Sequence, residues 1–386
     1  MKQAIRKTLL VVICILFLSV NRALAIENPL SMPNNKVGVH ILFPQEINKA
    51  EDLINSSGGD WGYVTIPIQA GDKNLAKWQK FMDECGELHV IPILRLATEG
   101  DYFNTIVWRK PTKEDVLDFA NFLNSLEWPV ENRYVVIFNE VNRDDEWEGE
   151  LSPSDYADLL RYSVSAFKSL NQNFFIISSG LDNAAPNGSD YMNEYDYMRA
   201  MNEAVPGVFS LIDGLGSHSY PNPGFKQLPY ISTSKNISSF GYEKSLADKL
   251  GNKSLPVFIT ETGWSKDEVS ENQIGQYFQY AYKYVWSDKD IVAVTPFLLQ
   301  AGIGPFAKFS LIDENGNCSK IYDSIAEIPK TKGNPSVNKH YDLSLYIKSE
   351  KLPLKTFPQR NQYEALSMNK ADAIFDFFRW LLKLYI

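Results

Sequence analysis

Between residues 36 and 330, short runs rich in β-branched and aromatic residues alternate with longer segments whose apolar positions recur at helical spacing. Unbroken apolar runs mark buried strands and recurrence at i, i+3 and i+4 marks amphipathic helices, so the alternation predicts repeated βα units. Eight strands are predicted, over 36–43, 61–68, 88–96, 133–139, 174–179, 211–218, 256–260 and 291–298. Their starts lie about 36 residues apart, room for a helix and two loops. The helix signal is strongest over 152–170, where Tyr156, Leu159, Leu160, Val164 and Phe167 form one stripe behind a Ser-Pro-Ser-Asp cap. Further helices are predicted over 112–126 and 270–286.

Eight consecutive βα units close most naturally into a parallel (β/α)8 TIM barrel. Strands buried on both faces read as continuous apolar runs, as in Val135-Val136-Ile137-Phe138. An open doubly wound sheet usually carries a glycine-rich nucleotide turn after its first strand, and none follows here. Pro67 and Pro92 each remove a ladder donor, so a bulge or an early strand end is expected near them.

The chain divides into residues 1–25, a barrel over 26–330 and an extension over 331–386. Lys2, Arg6 and Lys7, an apolar run from Leu9 to Val20 and then Ala23-Leu24-Ala25 form the three parts of a secretory signal. Export with cleavage after Ala25 is predicted, to an extracellular, periplasmic or cell-envelope location. Residues 331–367 read as a linker that wraps or dangles. An amphipathic helix over 371–386 shows Phe375, Phe378, Trp380, Leu381, Leu382, Tyr385 and Ile386 on one wide face. It is suited to packing on the barrel, to a protein partner or to a membrane surface.

Charge narrows the partners. The 38 basic and 47 acidic residues leave −9; four of the basic ones lie in residues 1–25, which hold no acid, so the remainder stands at −13. That argues against nucleic acid and suits a neutral ligand. The four histidines show no paired zinc spacing, and there is no Cys-x-x-Cys, calcium loop, serine elbow or phosphate loop. No metal or cofactor is implied. Cys85 and Cys318 either pair or remain as free thiols.

The mouth of a parallel barrel collects polar residues from the C-terminal ends of its strands. Glu140 ends the fourth apolar run and Glu261 the seventh, on opposite walls of an eight-stranded ring. Breaking an acetal needs a proton for the leaving oxygen and a second carboxyl to stabilise or trap the oxocarbenium-like centre, so this pair suits glycoside cleavage. In the sixth strand, alternation puts His218 and Tyr220 on one side, the first suited to a sugar hydroxyl or a proton, the second to a carboxylate. Gly214 and Gly216 before them either leave room for substrate or mark close packing. Trp264, three residues after Glu261, is the leading stacking candidate among aromatics near strand ends that include Tyr102, Phe103, Trp108 and Trp147. His40, at the end of the first strand, either reaches substrate or bonds within the floor.

Phe138-Asn139-Glu140, His218-Ser219-Tyr220 and Ile259-Thr260-Glu261-Thr262-Gly263-Trp264, in that order, resemble glycoside hydrolase clan A over about residues 36–330. The resemblance is to the retaining, cellulase- and xylosidase-like barrels. It implies Glu140 as acid/base, Glu261 as nucleophile, Asn139 as a ligand of the sugar 2-hydroxyl and Tyr220 as the group holding the nucleophile. It further implies an exported enzyme cleaving β-linked polysaccharide or oligosaccharide by double displacement. Transfer of the same intermediate to a second sugar, or glycan binding without turnover, remain open. Two departures stand out: the second strand lacks the clan's arginine, leaving Arg95 as a substitute or a barrel ion-pair partner, and Phe297 stands where a strand-eight tryptophan is usual. Ideal alternation points Asn139 away from a mouth that Glu140 faces, so the backbone must bend there.

Overall fold

All eight strands form in the expected order in the computed structural model, which describes residues 26–98, 107–301, 304, 306–339 and 341. The predicted signal segment, Tyr102, Phe103 and the predicted C-terminal helix lie outside the described residues. The strands are β1 Gly38–His40, β2 Gly62–Gln69, β3 Val90–Ala97, β4 Arg133–Val136, β5 Phe174–Ile177, β6 Leu215–His218, β7 Val257–Glu261 and β8 Ile291–Val294. The helices between and after them are α1 Ile47–Ile54, α2 Leu75–Glu87, α3 Lys113–Asn124, α4 Pro153–Leu170, α5 Glu194–Ala204, α6 Val208–Leu211, α7 Ser239–Gly251, α8 Glu271–Tyr280 and α9 Lys320–Ala326. The expected cap starts α4: Ser152 accepts a hydrogen bond from the Asp155 amide and Pro153 takes the first helical position.

Strands β1 to β5 pair in parallel as one sheet and β6 to β8 as a second. Single parallel bridges, Ile177 to Gly214 and Val37 to Val294, join the two into a ring in chain order. The Gly214 amide donates to Ile176 O at 3.1 Å and the Val294 amide to Lys36 O at 2.9 Å.

The expected break at the prolines does not occur, for β2 and β3 pair without a register slip from Gly62 opposite Val90 to Gln69 opposite Ala97. The Ile41 amide donates to Thr65 O, so odd-numbered residues of β2 aim their backbone groups at β1. β1 ends at His40, opposite Thr65, and Pro67 lacks a donor where no partner strand remains. The Ala70 amide donates to Ala97 O, so Pro92 faces β4, whose pairing with β3 begins only at Tyr134 opposite Ile93. Each ring sits beside a strand end, where a missing N–H costs least.

Alternation sorts the side chains into two layers. On β3, Val90, Leu94 and Leu96 pack outward against the helices, while Ile91 and Ile93 fill the barrel with Tyr63, Tyr134, Val136, Phe175 and Phe258. Arg95 follows on the inward face, at the top. The bottom is shut by polar closures: Tyr63 Oη donates to Asn34 Oδ1 at 2.7 Å, and Asn132 both accepts from the Glu27 amide and donates to Glu27 O. The first part of the extension wraps across that end, with Lys332 bridged to Asp60 and Val337 to Val130. Cys85 is buried and Cys318 exposed, both free.

Candidate active site

Two different backbone breaks bring the glutamates into one cleft. Along β4, Tyr134 and Val136 point into the barrel and Val135 and Ile137 point out. Phe138 then adopts φ 64° and Glu140 φ 34°, in the left-handed region that L residues rarely enter. The turn sends Phe138 to the outer layer, 6.4 Å from the Trp147 ring, and leaves both Asn139 and Glu140 lining the cleft. The expected bend is therefore present. Along β7, Phe258 points in while Val257 and Ile259 point out, so unbroken alternation would turn Glu261 toward the helices. Instead Ile259 pairs with Ser217 and Glu261 with His218, leaving Thr260 as an extra residue. That bulge re-aims Glu261 inward.

Neighbouring strands approach closely here. A Cβ on Gly216 would lie 2.2 Å from Ser178 O and one on Gly214 2.7 Å from the Phe258 ring, so these glycines serve packing. A Cβ on Gly180 would lie 2.1 Å from His218 Cδ2, which seats the imidazole against bare backbone.

His218 stands between the two carboxyls. Its Nδ1 is 2.9 Å from Glu140 Oε1 and 3.9 Å from Glu261 Oε2. One oxygen of each glutamate and one nitrogen of His218 all lie within 4.8 Å of one another. Tyr220 Oη donates to Glu261 Oε2 at 3.0 Å, and His40 Nε2 lies 3.6 Å from Glu261 Oε1. His40 is fully buried beside Glu261, and neither of its ring nitrogens has a hydrogen-bond partner among the described residues. Arg95 lines the cleft, and its Nε has no hydrogen-bond partner among the described residues. On the opposite wall Arg143 Nη1 reaches Glu140 Oε2 at 3.4 Å while its guanidinium clasps Asp145.

The environments separate the two carboxyls. Burial works against ionisation of Glu140, but the hydrogen bond and charge of His218, with Arg143 and Arg95, outweigh it and hold the group below the usual glutamate range. For Glu261, burial and the nearby Glu140 charge prevail over His218, Arg95 and Tyr220, and the group is raised. His218 is raised despite burial, by the two glutamates. His40 is pushed well down by burial, Arg95 and His218, and is neutral. In the free cleft, then, Glu140 and His218 share one proton as an ion pair. The two carboxyls are thus moved in opposite directions, Glu140 below and Glu261 above the ordinary glutamate range.

The open cleft is lined by Trp108, Phe225, Phe297, Phe306 and Phe309 around the charged centre. Phe297 takes the wall position expected for it, its ring 5.1 Å from His40. Trp264 does not line the cleft, contrary to expectation. Gly263 adopts φ 156°, and the indole after it packs outward against Tyr277, Phe278 and Trp286 with Nε1 donating to Gln227 O. Trp147 is likewise core. Sequence reasoning missed Arg143 and Glu146, whose setting in a run of exposed-looking acids gave no sign that they turn inward, and Asp182, a lone acid after the fifth strand. Glu140, His218 and Glu261 together offer ligands for a divalent ion, but their polar atoms already bond one another and Tyr220, and the Arg95 charge opposes a cation.

Residues 97–324 match the glycosyl hydrolase catalytic core family. The chain belongs to that family and is a glycosidase. No curated protein matches the sequence. Among solved structures it is similar to a family 39 glycoside hydrolase from the gut symbiont Bacteroides cellulosilyticus WH2, with TM-score 0.55 and 18% identity over 78% of this chain and 64% of that one. A GH5_18 protein from Bifidobacterium longum subsp. infantis gives 0.54 and 14% over 77% and 79%. An exo-beta-1,4-mannosidase from Opitutaceae bacterium strain TAV5 gives 0.53 and 13% over 81% and 62%. The chain thus spans under two thirds of the first and third of these relatives. At such identities the likeness is one of fold, a parallel α/β barrel.

Proposed function

We propose that this glycosidase is a retaining enzyme that cleaves β-linked oligosaccharide or polysaccharide outside the cytoplasm, with Glu261 as nucleophile and Glu140 as acid/base. The observation that carries the reading is the separation of the carboxyls, whose nearest oxygens lie within 4.8 Å. Inverting enzymes leave roughly 6.5–9.5 Å for a water between the two groups, whereas about 5 Å suits direct attack. In the first step a Glu261 oxygen bonds to the anomeric carbon, the glycosidic C–O bond breaks, and Glu140 delivers a proton to the departing oxygen. The Glu140–His218 pair holds that proton, so protonation of the leaving group draws it from Nδ1 through the carboxyl. In the second step Glu140 takes a proton from water, whose oxygen attacks the anomeric carbon and frees Glu261. Tyr220 and Arg95 favour the Glu261 carboxylate that attacks and later departs. Trp108 and the phenylalanines supply apolar faces for sugar rings. A second sugar in place of water gives transglycosylation by the same steps. The amino-terminal signal pattern supports export.

The test is the configuration of the first-formed product from a panel of aryl β-glucosides, β-mannosides and β-xylosides, followed by proton NMR. The β-anomer appearing first is expected, and the α-anomer first would overturn the reading.

A further inference from the structure

A third glutamate lines the cleft and takes no part in these steps. Glu146 ends the 3-10 turn Asp144–Glu146, and its Oε1 accepts a hydrogen bond from Asn139 Nδ2 at 2.9 Å. The turn is tied to the cleft wall. The Trp108 amide donates to Asp145 O at 2.6 Å, the Glu148 amide donates to Trp108 O at 2.8 Å, and the Arg143 amide donates to Glu140 O at 3.0 Å. Asn139 itself lies between two left-handed residues, Phe138 and Glu140, outside the ladder that orients side chains along a regular strand. The orientation of its amide is therefore set by its hydrogen bonds. Nδ2 is engaged by Glu146, while Oδ1 is buried with no partner among the described residues. A buried carbonyl oxygen without a donor is costly unless a ligand supplies one.

We propose that Glu146 is a positioning residue for the reaction, fixing the Asn139 amide so that Oδ1 is held ready to accept a hydrogen bond from a sugar hydroxyl beside the scissile bond. This rests on the reading of the cleft as a glycosidase site. Burial pushes the Glu146 carboxyl up to about 8; Arg143 and Arg95 favour its ionisation, and Asp145 and Glu140 oppose it. At neutral pH it thus orients the amide without placing another negative charge beside Glu140.

A double-mutant cycle tests the coupling. Glu146→Ala is expected to lower kcat/KM by about tenfold in the wild-type background and by no more than about twofold in Asn139→Ala. Glu146→Gln, which keeps an acceptor oxygen, is expected to remain within about threefold of wild type. The same loss in both backgrounds, or no loss in either, overturns the proposal, and thermal midpoints close to wild type show that the variants are folded. A second readout needs no turnover. In the full chain labelled with 15N-asparagine, the Asn139 side-chain resonance, identified by its absence in Asn139→Ala, is expected to titrate near 8 and to stop doing so in Glu146→Gln. A resonance unmoved from about pH 6 to about pH 9 overturns the proposal. If wild type hydrolysed nothing, the glycosidase mechanism would fail while the resonance still decided the role of Glu146.

Discussion

The two walls of the cleft hold the same side chain by opposite means. On the β7 wall, Glu261 belongs to the strand, is aimed by one extra residue at Thr260, and takes its hydrogen bond from the uncharged Tyr220, with the His218 charge farther off at 3.9 Å. On the β4 wall, Glu140 lies beyond the strand in a left-handed turn and is met by charged groups, His218 and Arg143. A nucleophile needs a fixed position and little proton traffic, whereas an acid/base needs a partner with which to exchange a proton. The difference between the walls matches the difference between those tasks.

The largest effect that would sharpen this contrast is an unequal response of the two glutamates. Glu261→Gln is expected to lower kcat by roughly 10⁴-fold on every substrate, with no recovery in azide. Glu140→Gln is expected to keep bond cleavage with well-activated aryl leaving groups and to regain turnover when azide replaces the base-activated water. Equal losses, neither rescued, would break the contrast. Stability should move the other way. The folded state raises the Glu261 pKa, so its contribution is fully present below the unfolded value and is lost as pH rises through the folded one. Glu261→Gln should therefore be more stable than wild type at neutral pH, by about 1 kcal/mol in urea unfolding, with the gain vanishing in acid.

Next in size is His218→Gln. The proton of the Glu140–His218 pair is present at low pH and lost as pH rises through the raised histidine value, which places the alkaline limb of kcat/KM above the usual imidazole range. Without His218 that limb falls to Glu140 alone and moves to lower pH, with kcat down by roughly 10²-fold. An unmoved limb would detach His218 from the proton supply. Tyr220→Phe removes one hydrogen bond to Glu261 and is expected to cost about tenfold in kcat with the pH profile nearly unchanged. The smallest effect belongs to the bulge. Thr260 Oγ1 is buried without a hydrogen-bond partner among the described residues, so Thr260→Val should raise stability by about 0.5–1 kcal/mol and leave kcat unaltered. A fall in kcat would show that the hydroxyl helps aim Glu261.

The strands were legible because burial on both faces turns each into an apolar run, and the glutamates because each directly ends one. Their inward aim was not. Strict alternation sends Glu261 outward, and neither the bulge at Thr260 nor the left-handed φ of Phe138 has a marker in residue type. Trp264 was misplaced for a related reason, since distance along the chain from Glu261 does not reveal which way a side chain points once the strand has ended. Pro67 and Pro92 fit because each faces the end of a neighbouring strand, a matter of pairing and not of composition. Glu146 lay hidden in an acidic turn that reads as solvent-facing.

The most direct test of the account is to incubate the protein with 2-deoxy-2-fluoro β-glycosides bearing an activated leaving group and to locate the trapped sugar by peptide mass spectrometry. An adduct on Glu261 alone is predicted; an adduct on Glu140, or turnover of the parent glycosides with no adduct on either glutamate, would contradict it.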